Sequence, residues 1–239
     1  MRSELAKVLH RFADEPLVIH PLRAARQFGV ARSILVIGHQ AEAVRAAVEE
    51  RLPAADGWAI EFAIQAEQNG TGHAVLCAMP AIGDEFRGAV LILSGDVPLL
   101  RSETLAALAR ACEASSAGIS LASFRPADAS GYGRIVRDDS GRVALIREHK
   151  DASAAELAIS ECNAGVYCVL VEHLRRELPA LGSSNAAGEI YLTDLIAARA
   201  RAGEVMVVEV DADEVAGVNT PEQLAELEQR AKTRGSSAP

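Results

Sequence analysis

Leu91-Ile92-Leu93-Ser94-Gly95-Asp96-Val97-Pro98 is an apolar run that breaks into a glycine and a carboxylate. A short run of this kind reads as a buried strand delivering Asp96 to the loop at its carboxyl end. In open α/β sheets those ends line the ligand crevice, so Asp96 stands where a hard cation bridging phosphate oxygens would be held. An Asp at a strand-to-loop junction is also a common turn former, and the residue alone leaves both readings open.

Outward from this strand the texture repeats. Upstream, the β-rich runs 34–37 and 59–65 are each followed by a helical pattern, over 41–52 and 72–79; downstream, 89–93 leads to a helix over 103–114. This order predicts an α/β, Rossmann-like, mostly parallel sheet with helices on both faces. Ser102 reads as the N-cap of the helix that follows it. Beyond Ile119–Ser123 the pattern changes: runs at 134–137 and 142–146 flank Asp138-Asp139-Ser140-Gly141, which predicts a hairpin added to the sheet. A core strand follows over 164–170, then a helix over 192–202 and a strand over 205–210. Thr220-Pro221-Glu222-Gln223 opens the last helix as a capping box with Pro at its first position. Residues 1–232 read as one domain and 233–239 as a disordered tail.

With 239 residues, 49% of them apolar, the chain can bury a full core. The net charge of −9 repels nucleic acid, so phosphate binding must be local, through a cation, a placed Lys and backbone amides. Cys77, Cys112, Cys162 and Cys168 show no CxxC spacing and read as reduced, buried thiols of a cytoplasmic protein. Neither a secretion signal nor a membrane-spanning run is present in the sequence.

Gln65-Ala66-Glu67-Gln68-Asn69-Gly70-Thr71-Gly72-His73-Ala74 follows one strand and opens a helix, with glycines that let backbone approach a planar or anionic ligand. It reads equally as a helix-initiating turn.

These two blocks, with Lys7-Val8-Leu9-His10, Gly131-Tyr132-Gly133-Arg134-Ile135, Glu148-His149-Lys150-Asp151, Asn163-Ala164-Gly165 and Gly217-Val218-Asn219, form an ordered set. In order and spacing the set resembles the uridylyltransferase domain of the bifunctional N-acetylglucosamine-1-phosphate uridylyltransferase and glucosamine-1-phosphate acetyltransferase. The resemblance implies a nucleotide-diphospho-sugar transferase fold with a small β excursion over the sugar site. It implies Mg²⁺ as cofactor, held by Asp96 and Asn219, with UTP and N-acetylglucosamine-1-phosphate as substrates and peptidoglycan precursor synthesis as the setting. Lys7 and Asp96 would be catalytic, Lys7 neutralising phosphate charge. Gln65, Gly70 and Thr71 would hold uracil, with Ser94 and Gly95 lining the substrate crevice. Gly133, Glu148 and Asn163 would bind the sugar, and Tyr191 and Thr193 would make further sugar or phosphate contacts. The resemblance also admits a homo-oligomer. A nucleotidyltransferase for another sugar phosphate, or a non-catalytic sugar-nucleotide-binding protein, would carry the same blocks.

The pattern departs from that family at its start. Family members begin with an apolar strand running into Ala-Ala-Gly-x-Gly-Thr-Arg-Met, and Met1 coincides with the last residue of this loop. The strands flanking that position are expected to have open edges, and the 239 residues alone are expected to catalyse weakly or not at all. Ala6 replaces a usual Pro and Ala164 a usual Thr. No acetyltransferase half follows in the sequence.

Overall fold

The fold is that of a computed structural model, which describes residues 5–53, 57–218 and 220–235. After a single 3-10 turn at Lys7–Leu9 the elements run β1 (Arg11–Phe12), β2 (Glu15–Pro16), α1 (Ile19–Phe28), β3 (Arg32–Ile37), α2 (Ala41–Arg51), β4 (Ala59–Ile64) and α3 (Thr71–Ile82). Then come β5 (Ala89–Ile92), α4 (Ser102–Ala114), β6 (Ile119–Phe124), β7 (Arg134–Arg137), β8 (Val143–Arg147), α5 (Ala154–Leu157) and β9 (Cys162–Leu170). The chain continues through α6 (Val171–Glu177), α7 (Asp194–Ala200), β10 (Met206–Glu209) and α8 (Pro221–Gly235).

β9 is the hub, pairing with β5, β6 and β7, while β10 pairs with β6 and β8 with β7. Its side chains sort by parity, as a pleated strand requires. Tyr167 and Val169 join Ile119 and Leu121 of β6, Val75 of α3, Leu174 of α6 and Leu195 of α7 in one core. Cys162, Ala164, Val166 and Cys168 join Ala122 and Phe124 of β6, Ala24 of α1 and Leu105, Leu108 and Cys112 of α4 in the other. Helices therefore cover both faces, as the βα alternation predicts.

The sheet is less parallel than expected. Among the described residues β3–β4 and β6–β10 pair parallel, whereas β9 runs antiparallel to β5, β6 and β7, and β7 to β8. The cause is the excursion: the chain leaves β6 at Phe124 and re-enters at Cys162, directly opposite it. A strand entering at its neighbour's carboxyl end must run back along it, because a parallel return needs a crossover to the far end.

β3 and β4 form a separate two-stranded sheet. Among the described residues β3 pairs with β4 alone and β5 with β9 alone, and Leu35, Val36, Leu91 and Ile92 are only partly buried.

Two boundaries differ from the reading. Ser102 lies inside α4, whose cap position is Arg101 without a side-chain cap bond. The Arg101 N–H donates instead to the Glu214 carboxylate at 3.2 Å, a partner 113 residues away that no local pattern announces. α8 runs to Gly235, three residues into the stretch read as tail, and 236–239 lie outside the described residues. Its start is as read: Thr220 Oγ1 accepts from the Gln223 N–H and Gln223 Oε1 from the Thr220 N–H, at 3.2 and 3.1 Å. Of the four cysteines, all free, Cys77 is partly exposed and the rest buried. Among the described residues no helix is long and apolar enough to cross a membrane.

Candidate active site

β5 ends at Ile92 and its chain turns through Ser94-Gly95-Asp96 at the carboxyl end of the sheet. A Cβ on Gly95 would sit 3.2 Å from Val8 Cγ1, so this loop passes directly beneath the 3-10 turn that carries Lys7. The turn is braced by the Ala6 N–H donating to Gln40 Oε1 at 2.7 Å and the Val18 N–H donating to the Val8 carbonyl at 3.1 Å. Lys7 Nζ consequently meets Asp96 Oδ2 in a short ion pair across 89 residues of sequence.

A third segment closes on the same carboxylate. The Val218 N–H donates to the Asp96 carbonyl at 3.1 Å, and a Cβ on Gly217 would lie 3.5 Å from Asp96 Oδ2. Glu214, 2% exposed, holds this segment by accepting from Arg101 Nε at 2.8 Å and Nη2 at 2.5 Å. Asn219, read as the second metal ligand, lies outside the described residues.

Ser94, Asp96, Gly133, Glu148 and Asn163 line one cleft, together with Tyr132, Gly165 and Gly217. Gly133 gives its carbonyl to the Asn163 N–H at 2.8 Å, and a Cβ there would crowd Ile146 Cγ2 at 2.9 Å and Glu148 Oε2 at 3.4 Å. Glu148 Oε1 accepts from the buried Thr193 hydroxyl at 2.9 Å. Burial lifts the Glu148 pKa above the ordinary 4.5; the Thr193 bond opposes the rise, and the neighbouring Asp151 and Asp194 carboxylates add to it. Thr193, read as a sugar or phosphate contact, thus bonds Glu148 through its buried hydroxyl. Burial likewise raises the phenol of Tyr191, beside Asp151 and Glu148.

Gln65, Gly70 and Thr71 form a second group at the start of α3. Gln65 Nε2 donates to the Gly70 carbonyl at 3.1 Å and lies 3.1 Å from His73 Nδ1, an acceptor in that geometry, which leaves the amide oxygen out of both contacts. The close approach the glycines permit is to the protein itself: a Cβ on Gly70 would meet the Ile190 carbonyl at 2.6 Å, and one on Gly72 the Ile190 Cγ2 at 2.8 Å. Thr71 Oγ1 accepts from the Leu192 N–H at 3.0 Å. The loop after β4 is thereby docked on residues 189–192, which lead into Tyr191 and Thr193.

Sequence reasoning missed Tyr132 as a cleft residue, although its flanking glycines marked the turn. Burial first, then the Asp96 carboxylate, raises its phenol. His73, which orients Gln65, and Glu214, which fixes the 214–218 segment, gave no local signal.

The nucleotidyl transferase family model matches residues 2–227. The bifunctional protein GlmU of Anaeromyxobacter sp. (strain Fw109-5) is 51% identical over 225 residues, 94% of this chain and 45% of that protein. The bifunctional protein GlmU of Chromohalobacter salexigens is 49% identical over 230 residues, 95% of this chain and 48% of that protein. The chain thus spans about half the length of the curated relatives it matches. Among solved structures, the nucleoside-diphosphate-sugar pyrophosphorylase of Vibrio cholerae superposes with a TM-score of 0.71 at 15% identity, covering 95% of this chain and 93% of that one. An apo UDP-glucose pyrophosphorylase gives 0.71 at 14% identity, covering 97% and 92%. These two establish the shared fold. The matched span includes the Lys7 turn, the Asp96 loop and the segment that closes on it, and by that match the chain belongs to the nucleotidyl transferase family.

Proposed function

We propose that the chain is the uridylyl-transferring unit that makes UDP-N-acetylglucosamine and pyrophosphate from UTP and N-acetylglucosamine-1-phosphate, in the cytoplasm, for cell-wall precursor synthesis. The observation that carries this is one cleft lined both by Asp96, which pairs with Lys7, and by the polar pair Glu148 and Asn163. A sugar phosphate laid along it presents its phosphate to the first and its hydroxyls and acetamide to the second.

The sugar-phosphate oxygen attacks the α-phosphorus of UTP in line; the new P–O bond forms as the α–β bridge bond breaks, and pyrophosphate leaves with that electron pair. Lys7 neutralises phosphate charge, and Gln65 offers its amide oxygen to the N3–H of uracil. Glu148 accepts sugar hydroxyls, and Asn163 supplies one amide hydrogen and one oxygen lone pair. Such chemistry asks for positioning and charge stabilisation rather than a nucleophilic side chain.

Asp96 fits a divalent cation: its carboxylate already holds an ammonium, and Lys7 marks where positive charge is drawn. Among the described residues no three His, Cys, Asp or Glu side chains converge, so Mg²⁺ at Asp96 would take further ligands from Asn219 and from nucleotide phosphates. Bound there, Mg²⁺ neutralises the developing charge on the transferred phosphoryl group. Calorimetry with UDP-N-acetylglucosamine, paired with pyrophosphate release from UTP and N-acetylglucosamine-1-phosphate, tests the proposal. Micromolar binding is expected; absence of both binding and turnover in folded protein would overturn it.

A further inference from the structure

Tyr167 is bonded to the cleft residue Asn163 without a part in the account above. β9 is irregular where it passes: Tyr167 lies opposite Leu121 of β6 and Asn163 opposite Ser123, so four steps along β9 face two along its partner. Two residues are looped out between them, with Gly165 in the left-handed region at φ +71°. In a regular strand, residues four apart are separated by about 13 Å, beyond the reach of one side-chain hydrogen bond. Here the bulge shortens the path, and Asn163 Nδ2 donates to Tyr167 Oη at 2.6 Å. Asn163 Oδ1 accepts from the Gly165 N–H at 3.1 Å. A backbone N–H can meet only the amide oxygen, so these two bonds leave the Asn163 amide a single orientation.

The ring that supplies the hydroxyl is itself immobile. Tyr167 is 3% exposed and packs among Leu121, Ile135, Ile146 and Leu192. Its hydroxyl is a rigid point, fixed by the core of the sheet and aimed at a cleft side chain.

We infer that Tyr167 is a positioning residue for the sugar: its buried hydroxyl pins the β9 bulge and holds the Asn163 amide in the orientation that presents one hydrogen and one lone pair to the ligand. The inference rests on reading the cleft as a sugar-nucleotide site. It does not require Tyr167 to touch the sugar.

Calorimetry on the whole chain with UDP-N-acetylglucosamine, and with UDP as a sugar-free reference, separates the possibilities across wild type, Tyr167→Phe, Asn163→Ala and the double variant. Tyr167→Phe is expected to weaken UDP-N-acetylglucosamine binding about fivefold, the value of one ordinary hydrogen bond, and to leave UDP unchanged. In the Asn163→Ala background the same substitution is expected to cost nothing further, because its effect passes through Asn163. An equal loss with and without Asn163, a loss shared by UDP, or no loss at all overturns the role. Wild type that binds UDP but not UDP-N-acetylglucosamine sinks the sugar reading of the cleft instead. If Tyr167→Phe melts too low to assay, the Asn163 side-chain amide resonances of wild type serve: slow hydrogen exchange is expected, and exchange as fast as that of a free amide overturns the role.

Discussion

The group proposed to bind the sugar and the group proposed to bind the base are built in different ways. Asn163 lies on β9 and Glu148 directly follows β8 in one continuous sheet, and each meets a buried hydroxyl: Thr193 at the start of α7 bonds Glu148, and Tyr167, four residues along β9, bonds Asn163. Gln65 sits on the two-stranded sheet and is oriented by neighbours within eight residues of sequence. Its connection to the rest of the site passes through Gly70, Thr71 and Gly72 docked on residues 189–192. The contrast teaches that the proposed sugar group is held by the core, whereas the proposed base group depends on a local turn and one docked segment. Asp96, paired with Lys7, lines the same cleft as Glu148 and Asn163.

The largest expected effect tests that pair. In a chain extended upstream of Met1, Asp96→Ala should lower pyrophosphate release from UTP about 100- to 1,000-fold, the scale of losing one electrostatic stabiliser of the transition state. Manganese binding, followed by electron paramagnetic resonance, should disappear with it while the melting temperature stays put. Near-native turnover would break the assignment of Asp96 to the cation.

In the proposed sugar group, Glu148→Gln should weaken UDP-N-acetylglucosamine about tenfold, as expected for hydrogen bonds to a charged acceptor. The same change should raise the melting temperature at neutral pH. A carboxyl whose folded pKa lies above 4.5 stays ionised in the fold at neutral pH against a burial penalty, which the uncharged amide removes. The penalty is absent below pH 4.5 and grows through the interval between that value and the raised pKa, so the stability gained by the variant should shrink on acidification across it. Wild-type affinity should fall over the same interval, as protonation removes the acceptor. A lower melting temperature for Glu148→Gln at neutral pH would contradict the burial argument.

Thr193→Val keeps the shape and removes the hydroxyl that lowers the Glu148 pKa. Affinity should drop about threefold at neutral pH, with the midpoint of its pH dependence displaced upward; an unmoved midpoint would show that Thr193 does not act through Glu148. The smallest effect is expected in the proposed base group, where His73→Ala should cost UTP about twofold and UDP-N-acetylglucosamine as much, since both carry uracil. A loss confined to the sugar nucleotide would place His73 on the wrong side of the comparison.

Much of the fold is legible locally. The runs at 34–37, 59–65 and 89–93 and their helices appear within three residues as β3, β4 and β5 with α2, α3 and α4, because apolar period and turn residues are local properties. α1 escaped the reading: its N-terminus has no side-chain cap, and its strongest signal is Gly29 as a left-handed C-cap. The direction of β9 was not legible, since a buried strand has the same composition whichever way it runs.

From the amino-acid order alone came the alternation of strands and helices, the arrival of Asp96 at a strand's carboxyl end, and the ordered motif set that marks the family. Tertiary structure alone decided that Lys7 meets Asp96, that Glu214 holds the segment whose Val218 bonds the Asp96 backbone, and that Tyr167 and Thr193 bond Asn163 and Glu148. The reason is one of range. Propensity and periodicity act over a few residues, whereas these contacts depend on β9 turning back along β6 and on a bulge that draws Asn163 and Tyr167 together, both settled by long-range packing.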